Sequence, residues 1–230
     1  SASPCFSARA EKHGLALKIV PYSCMESLKL DFEAFSKRDD LNGFQRFILS
    51  ERYTLDPKTD FEPRSLIVCA APLRLYRAVF RRGGKAYESP VEVSPEAEWV
   101  SAALTGGGNV KLYYDFWLPA KRTAVRSGLA EYGRNNLCYV PGLGSLAALY
   151  VFVSDLPCPE EYIWREVKNM EACENCGLCI KNCPTGAIIA DRFLIDNQKC
   201  LSSLNEWGTD PFPDFVPKTA HHRIVDCSRC

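Results

Sequence analysis

The chain has 230 residues, of which 47% are apolar and 24% are charged. This composition excludes a disordered chain and predicts a folded protein with room for one large or two small domains. Lys plus Arg and Asp plus Glu both number 28, so no overall charge indicates a nucleic-acid or anionic-membrane surface. The longest apolar run, Leu146 to Val153, is too short to span a bilayer, and residues 1–10 lack a signal-peptide core.

The first predicted elements are a strand and two helices. Leu15 to Val20 is a short apolar run that Pro21 ends. Ser23 and Glu26 form a capping-box pattern, which predicts a helix over about 24–38. A second helical stripe follows, formed by Phe44, Phe47 and Ile48.

The middle of the chain predicts a buried strand, a turn and a helix. Leu66 to Ala71 is an unbroken apolar run ended by proline, which is typical of a central strand. Arg81 to Gly84 predicts a turn or a surface loop. Ser94 is expected to cap a helix that has Pro95 at its first position and ends before Gly106.

One more helix and one more strand precede residue 157. Pro119 is expected to open a helix that ends at Gly133, with Val125, Leu129 and Tyr132 on one face. Its basic residues are expected to form a solvated face; they are Lys121, Arg122 and Arg126. A strand is predicted over Leu146 to Val153.

These elements predict an α+β or three-layer α/β domain that covers a mixed sheet. Pro157 and Pro159 mark the predicted domain boundary. We therefore expect an α+β domain over residues 1–157 and a small ferredoxin-like domain over residues 158–230.

The strongest chemical signal is a run of four cysteines with the spacing C-x2-C-x2-C-x3-C-P. Its members are Cys173, Cys176, Cys179 and Cys183, followed by Pro184. Thiolates at this spacing can hold a [4Fe-4S] cluster with three sulfur atoms while the fourth binds a neighbouring cluster. Gly177 can adopt positive φ in the tight turn, and Pro184 disfavours helix at Cys183.

Three further cysteines complete the pattern. With the crossed ligation of two-cluster ferredoxins, the second cluster would be held by Cys183, Cys200, Cys227 and Cys230. Two cubanes need about eight ligands, and this region supplies seven. We expect the eighth to be a cysteine four positions beyond the last residue, missing from this chain.

Other ligand arrangements stay open. The eighth ligand could be Cys158 or a non-protein ligand such as water, or Cys183 could close the first cluster of a single-cluster protein. His221 and His222 could supply nitrogen ligands as in Rieske centres. A zinc ion held by the first four cysteines is a further alternative, although structural zinc sites usually separate two cysteine pairs.

The other cysteines are scattered singly and are expected to be small buried hydrophobes; they are Cys5, Cys24, Cys69, Cys138 and Cys158. Because the clustered cysteines follow a metal-ligand pattern instead of a disulfide framework, we expect a reducing cytoplasm.

The order of several motifs resembles the epoxyqueuosine reductase family. Residues 118–136 read LPAKRTAVRSGLAEYGRNN, and this segment is followed by Gly144-Ser145 and by SDLP over residues 154–157. The segments CPTGAI over residues 183–188 and KCLS over residues 199–202 come later. The family shares this plan with reductive dehalogenases.

The resemblance implies a nitroreductase-like α/β domain that holds a cobalamin, followed by a double-cluster domain. On that plan Arg134 and Asn135, which match the family's "(K/R)-N" motif, would lie near the corrinoid. The implied enzyme is a reductase in which a ferredoxin- or flavodoxin-type donor passes low-potential electrons through two [4Fe-4S] clusters to the corrinoid and an unknown small-molecule or modified-nucleoside substrate. The alternative to an enzyme is an electron-transfer protein that docks a redox partner and has no substrate of its own.

Two departures from the family bear on the substrate. The family's "Y-A-R-G-x-D-Y-H" motif is missing from residues 107–114. Asp115 lies four residues before Pro119, where the family's catalytic Asp lies three before, so Asp115 is a candidate catalytic acid or an ordinary helix-flanking carboxylate. The chain also lacks the helical repeats and the basic surplus that would favour transfer RNA as a partner.

Overall fold

The computed structural model describes residues 3–190, 194–206, 211–224 and 227–230. The chain divides into two units by its internal contacts. Unit 1 contains Ser1–Leu73, Ser94–Tyr132 and Cys138–Lys168, and unit 2 contains Arg74–Val93, Gly133–Leu137 and Asn169–Cys230. This grouping differs from the expected single division after residue 157, because two internal segments contact the cysteine-rich region.

The helices are α1 (Ser3–Lys12), α2 (Cys24–Ser36), α3 (Gly43–Glu51), α4 (Ala97–Thr105), α5 (Ala120–Arg126), α6 (Leu178–Asn182) and α7 (Leu201–Glu206), with a 3₁₀ turn at Glu171–Cys173. The strands are β1 (Ala16–Pro21), β2 (Ser65–Pro72), β3 (Arg74–Arg82), β4 (Lys85–Val93), β5 (Leu112–Tyr114), β6 (Glu131–Tyr132), β7 (Cys138–Tyr139) and β8 (Ala147–Ser154). No described helix combines the length and the apolar character needed to cross a membrane.

Unit 1 is built on a four-stranded sheet with the order β1-β2-β8-β5. The predicted strand at residues 66–71 is central and buried, as expected. The expected mixed sheet is wrong, since every described pairing in this sheet is antiparallel. Long apolar runs are typical of parallel strands. Here helices cover both faces of an antiparallel sheet, so its strands lack the usual alternation of apolar and polar residues.

The two faces of the sheet are covered by different helices. On one face, Ile67 and Phe152 pack with α1 and α4 in one hydrophobic cluster. On the other face, Leu66 and Val68 are fully buried, and α5 packs against β2 and β8. Unit 1 is therefore a three-layer arrangement, as the sequence predicted.

The predicted caps are the least accurate part of the helix predictions. Ser23 has helical φ and ψ and its side chain makes no capping hydrogen bond, so the expected capping box is wrong. The helix that was expected to begin at Ser94 has its cap at Glu96 instead. A true capping box occurs at α3, where Asn42 and Gln45 bond to each other's backbone N–H groups.

The helix that follows Pro119 is shorter than expected. α5 ends at Arg126, and Gly128 adopts φ of +73°, a left-handed conformation that ends a helix at little cost for glycine. Leu129 and Tyr132 are buried beyond the helix, the latter in β6. Their apolar spacing matched a helix by chance because both residues point into the core from irregular backbone and a short strand.

Two of the three basic side chains of α5 do not lie on the expected solvated face, whereas Lys121 is exposed as predicted. Arg122 and Arg126 donate hydrogen bonds to Asp31 of α2, at 2.8 and 2.6 Å from the respective Nε atoms. All three side chains are at most 16% exposed. These ion pairs join α2 to α5, because the Asp31 carboxylate binds both guanidinium groups and keeps them away from solvent.

The strands β3 and β4 form a two-stranded hairpin, of which the sequence analysis predicted only the turn. Arg82 pairs with Lys85, and Gly83 and Gly84 supply the positive φ that a two-residue hairpin turn requires. Strand β4 of the hairpin contacts two residues near the end of the same unit: Glu92 accepts from Arg223 at 2.6 Å, and Ser89 accepts from the backbone of Ile224 at 2.9 Å.

Candidate metal centre

The cysteine run lies in unit 2 on short, irregular elements. Cys173 ends the 3₁₀ turn, Gly177 adopts φ of +66° before α6, and Cys183 leaves α6 with φ of −67° and ψ of 114°. The positive φ at Gly177 and the non-helical Cys183 agree with the sequence predictions. The backbone thus turns sharply enough for neighbouring thiols to come together.

The thiols form two neighbouring sets. The pKa of Cys179 is raised, first by burial and then by the sulfur atoms of Cys173 and Cys176. Burial of its sulfur atom raises the pKa of Cys230 to about 12, although the residue as a whole is exposed. Four more sulfur atoms act in the same direction, in decreasing order those of Cys183, Cys200, Cys227 and Cys179.

Cys227 belongs to the second set as well, since its pKa is raised by burial and by Cys200 and Cys183. The thiols of Cys183, Cys200, Cys227 and Cys230 thus influence one another electrostatically, although they are distant in sequence. Cys179 is influenced in the same way by Cys173 and Cys176. The assignment of these residues to two clusters by crossed ligation stays a prediction.

Backbone N–H groups point at two of the sulfur atoms. Arg134 N–H donates to Sγ of Cys173 at 3.4 Å, and Ala187 N–H donates to Sγ of Cys183 at 3.3 Å. Burial would raise the pKa of Cys183, but hydrogen bonds from Thr185 and Ala187 outweigh it and lower the pKa. Such bonds favour the thiolate, which is the form that binds iron.

A single metal ion has no preformed site in the described part of the chain. Among residues 3–190, 194–206, 211–224 and 227–230, no three His, Cys, Asp or Glu side chains converge as ligands of one ion.

The Gly133–Leu137 segment lies in unit 2 and not in the α/β unit where a corrinoid was expected. Asn135 is buried, and its side chain donates to the carbonyl of Cys230 at 3.3 Å and accepts from the N–H of Leu137 at 3.2 Å. Nε of Arg134 is buried and has no hydrogen-bond partner among the described residues. The contact of this loop with two cysteine residues had no local signal in the sequence.

Asp115 lies in unit 1, just before α5. One carboxylate oxygen accepts from the Thr54 hydroxyl and the other from the N–H of Trp117, both at 2.8 Å. One oxygen therefore stabilises the turn that leads into α5, and the other joins this turn to the loop at Thr54. This position agrees with the helix-flanking interpretation of Asp115, and its role as an acid stays a prediction.

The alternative ligands have other partners in the structure. Cys158 is in unit 1, where its thiol contacts the carbonyl of Ile19 and burial raises its pKa. His221 packs against Phe212, and His222 contacts the carbonyl of Ala220.

The scattered cysteines are partly as expected. Cys24, Cys69 and Cys138 are buried, whereas Cys158 is intermediate and Cys5 is exposed. Burial raises the pKa of Cys69 to about 12, so this thiol behaves as a core residue.

Comparison with known proteins gives a family match for the cysteine-rich region. Residues 172–230 match a model described as a 4Fe-4S double cluster binding domain. The chain is also 31% identical over 110 residues to the epoxyqueuosine reductase of Cyclobacterium marinum, a match that covers 48% of this chain and 34% of the relative. The enzyme of Francisella cf. novicida is 30% identical over 128 residues, which cover 55% of this chain and 34% of that protein.

Solved structures of the same name share the fold. The epoxyqueuosine reductase of Streptococcus thermophilus has a TM-score of 0.59 at 15% identity, covering 98% of this chain and 63% of its own. A structure of epoxyqueuosine reductase with an epoxyqueuosine-modified tRNA-Tyr stem loop has a TM-score of 0.62 at 19% identity, covering 99% of this chain and 63% of its own. The sequence matches span about a third of the curated relatives' length. The resemblance predicted from the sequence motifs is confirmed.

Proposed function

We propose that this chain, which resembles the epoxyqueuosine reductases over about half of its length, is an iron–sulfur reductase whose unit 2 carries electrons to a further redox centre. The observation that supports this most directly is the grouping of the seven clustered cysteines into a set of three and a set of four. The double-cluster family match covers the same residues.

In this proposal Cys173, Cys176 and Cys179 hold one [4Fe-4S] cluster, and Cys183, Cys200, Cys227 and Cys230 hold a second. Each cluster, when bound, takes up and releases single electrons. The protein contributes the N–H···S hydrogen bonds of Arg134 and Ala187, which offset negative charge on sulfur. The eighth ligand is left to a residue or a solvent molecule outside these seven thiols. A reducing cytoplasm is the proposed compartment because the thiols must stay free to bind iron.

We further propose that unit 1 is nitroreductase-like and that a corrinoid is the second cofactor. Its chemistry, when bound, would be reductive removal of a group from the substrate. Arg134 fits an acceptor group of such a ligand, since its buried Nε lacks an acceptor among the described residues. Asn135 fits less well, because both polar atoms of its amide already have partners in unit 2.

A modified nucleoside is the proposed substrate class. One structural neighbour was solved with a modified tRNA stem loop, and this chain is its relative in fold. Asp115 would serve as the acid only if its hydrogen bonds to Thr54 and Trp117 can be released, so we assign it first to the turn before α5.

Anaerobic reconstitution followed by titration with hydroxocobalamin tests the proposal. We expect a broad cluster absorption band and corrinoid bands that stay with the protein on gel filtration. R134A should have a weaker affinity for the corrinoid, and R81A, at an exposed arginine of unit 2 away from the cysteines, is the matched control. A protein that binds clusters but takes up no corrinoid would support the alternative, an electron-transfer protein without its own substrate.

A further inference from the structure

The hairpin β3–β4 is the largest surface feature that the proposed function does not use. Two-stranded hairpins are marginally stable alone and usually pack on another layer. Here large apolar side chains on both strands are exposed instead, among them Leu75, Val79 and Tyr87, with Leu75 at 59% and Val79 at 55% exposure. Phe80 and Tyr87 stack with ring centroids 5.2 Å apart. Exposed apolar surface of this extent marks an interaction site.

The hairpin is also strongly basic. Residues 74–93 contain five basic and two acidic residues, a net charge of +3 in a chain whose formal net charge is zero. Glu92 is bound to Arg223 at the base, and Glu88 lies 3.5 Å from Arg77. Among the described residues, no carboxylate lies within ion-pair distance of Arg81, Arg82 or Lys85 near the turn. The end of the hairpin therefore presents uncompensated positive charge beside aromatic rings.

The base of the hairpin is joined to the segment that carries two proposed cluster ligands. Glu92 accepts hydrogen bonds from Arg223 and from the Ser228 hydroxyl, at 2.6 and 3.3 Å. Ser228 lies between Cys227 and Cys230 in the sequence, and these thiols belong to the second set. A partner that lies along the hairpin from its turn to its base would thus reach the segment that holds the second cluster.

We propose that the hairpin β3–β4 is the docking site for an acidic electron-carrier protein of the ferredoxin or flavodoxin type, which reduces the second cluster. This inference rests on the proposed function, because it requires bound clusters. The step transfers one electron: the carrier is oxidised by one electron, the cluster is reduced by one, and no bond is made or broken. The positive end attracts the carrier, and the apolar and aromatic side chains bury against it.

The test compares the reconstituted holoprotein with the charge-reversal variant R81E/R82E/K85E. These positions lie away from the base contacts at Ser89 and Glu92, so the hairpin should stay attached. Stopped-flow reduction by an acidic flavodoxin at low ionic strength should be at least about tenfold slower for the variant. Added salt should slow the wild type and leave the variant nearly unchanged. A control variant of three exposed lysines in unit 1, K12E/K18E/K37E, should react like the wild type.

Two internal readouts separate this inference from the proposed function. Dithionite should reduce the clusters of all three proteins at equal rates, and their iron content should be equal. A protein without clusters would overturn the proposed function itself. Equal flavodoxin rates in variant and wild type would overturn the docking site, as would loss of RNA stem-loop binding by the variant with an unchanged flavodoxin rate.

Discussion

The side-chain amide of Asn135 donates a hydrogen bond to the backbone carbonyl of Cys230, 95 residues later in the chain. The neighbouring residue, Arg134, donates its backbone N–H to Sγ of Cys173. One short loop therefore contacts a member of each thiol set. Because it lies inside unit 2, this loop connects the ligand segments of both proposed clusters.

Replacing Asn135 by Asp should weaken the second cluster more than the first. Asp can still accept from the N–H of Leu137 but cannot donate to Cys230, and its charge would lie close to the carbonyl oxygen. We expect iron of the second set to be lost faster to a chelator, with a changed electron paramagnetic resonance spectrum of the reduced protein. Q198A, at an exposed side chain of the same unit, should leave both measurements unchanged; equal chelation rates for N135D and wild type would count against this role.

Replacing Gly177 by Ala should reduce binding of the first cluster. No atom lies within 4 Å of the added methyl group, so the cost comes from φ of +66° alone, about 1 kcal/mol for a residue with a Cβ. G43A adds a methyl group in equally open space without a positive φ. The yield of cluster after reconstitution should fall for G177A and not for G43A, and equal yields would show that this turn can relax freely.

The Asp31 cluster should govern the stability of unit 1. Removing the carboxylate in D31A leaves Arg122 and Arg126 nearly buried without their anion, which should cost roughly 3 kcal/mol. Urea unfolding followed by circular dichroism measures this cost. D39N, at an exposed carboxylate of the loop after α2, should change the midpoint little, and a similarly small change for D31A would show that the ion pairs do not stabilise the unit.

The same carboxylate should make stability depend on pH. Burial acts to raise the pKa of Asp31, but the hydrogen bonds from Arg126 and Arg122 outweigh it and lower the pKa. A lowered folded-state pKa stabilises the protein above the unfolded value, about 3.9 for Asp, and this contribution is lost as the pH falls through the folded value. Wild type should thus lose more stability than D31N between about pH 5 and pH 2. Parallel pH profiles would contradict this prediction.

Asp115 should act through structure more than through proton transfer. In D115N the amide oxygen can still accept from the N–H of Trp117, so the fold should persist. D115A should lose about 1 kcal/mol of stability, as for a lost capping residue. Substrate turnover by D115N within about threefold of wild type would support a structural role; a loss of 10²-fold or more at unchanged stability would identify a catalytic acid.

Much of unit 1 could be predicted because its strands are apolar runs bounded by proline. β2 and β8 lie where Leu66–Ala71 and Leu146–Val153 predict them. Strand direction could not be read, since burial on both faces gives parallel and antiparallel strands the same pattern. The alternation in Arg74–Phe80 before Gly83 and Gly84 did carry a hairpin signal, and Asn42 with Gln45 carried a capping signal.

In the candidate site, too, the local features could be predicted from the sequence and the long-range contacts could not. The spacing of Cys173 to Cys183 is local, so it identified the ligand type directly. The grouping of Cys183 with Cys200, Cys227 and Cys230 followed from ferredoxin ligation and stays a prediction. By contrast, the contacts of Asn135 with Cys230 and of Asp31 with α5 join residues 95 apart. Such contacts depend on tertiary packing, for which a single sequence contains no periodic signal.

Iron and acid-labile sulfide analysis of the anaerobically reconstituted protein tests the central claim most directly. Wild type should hold about eight irons per chain, and C176S and C200S should each fall to about four with distinct residual spectra. One zinc per chain, or about four irons in both wild type and C200S, would contradict the two-cluster account.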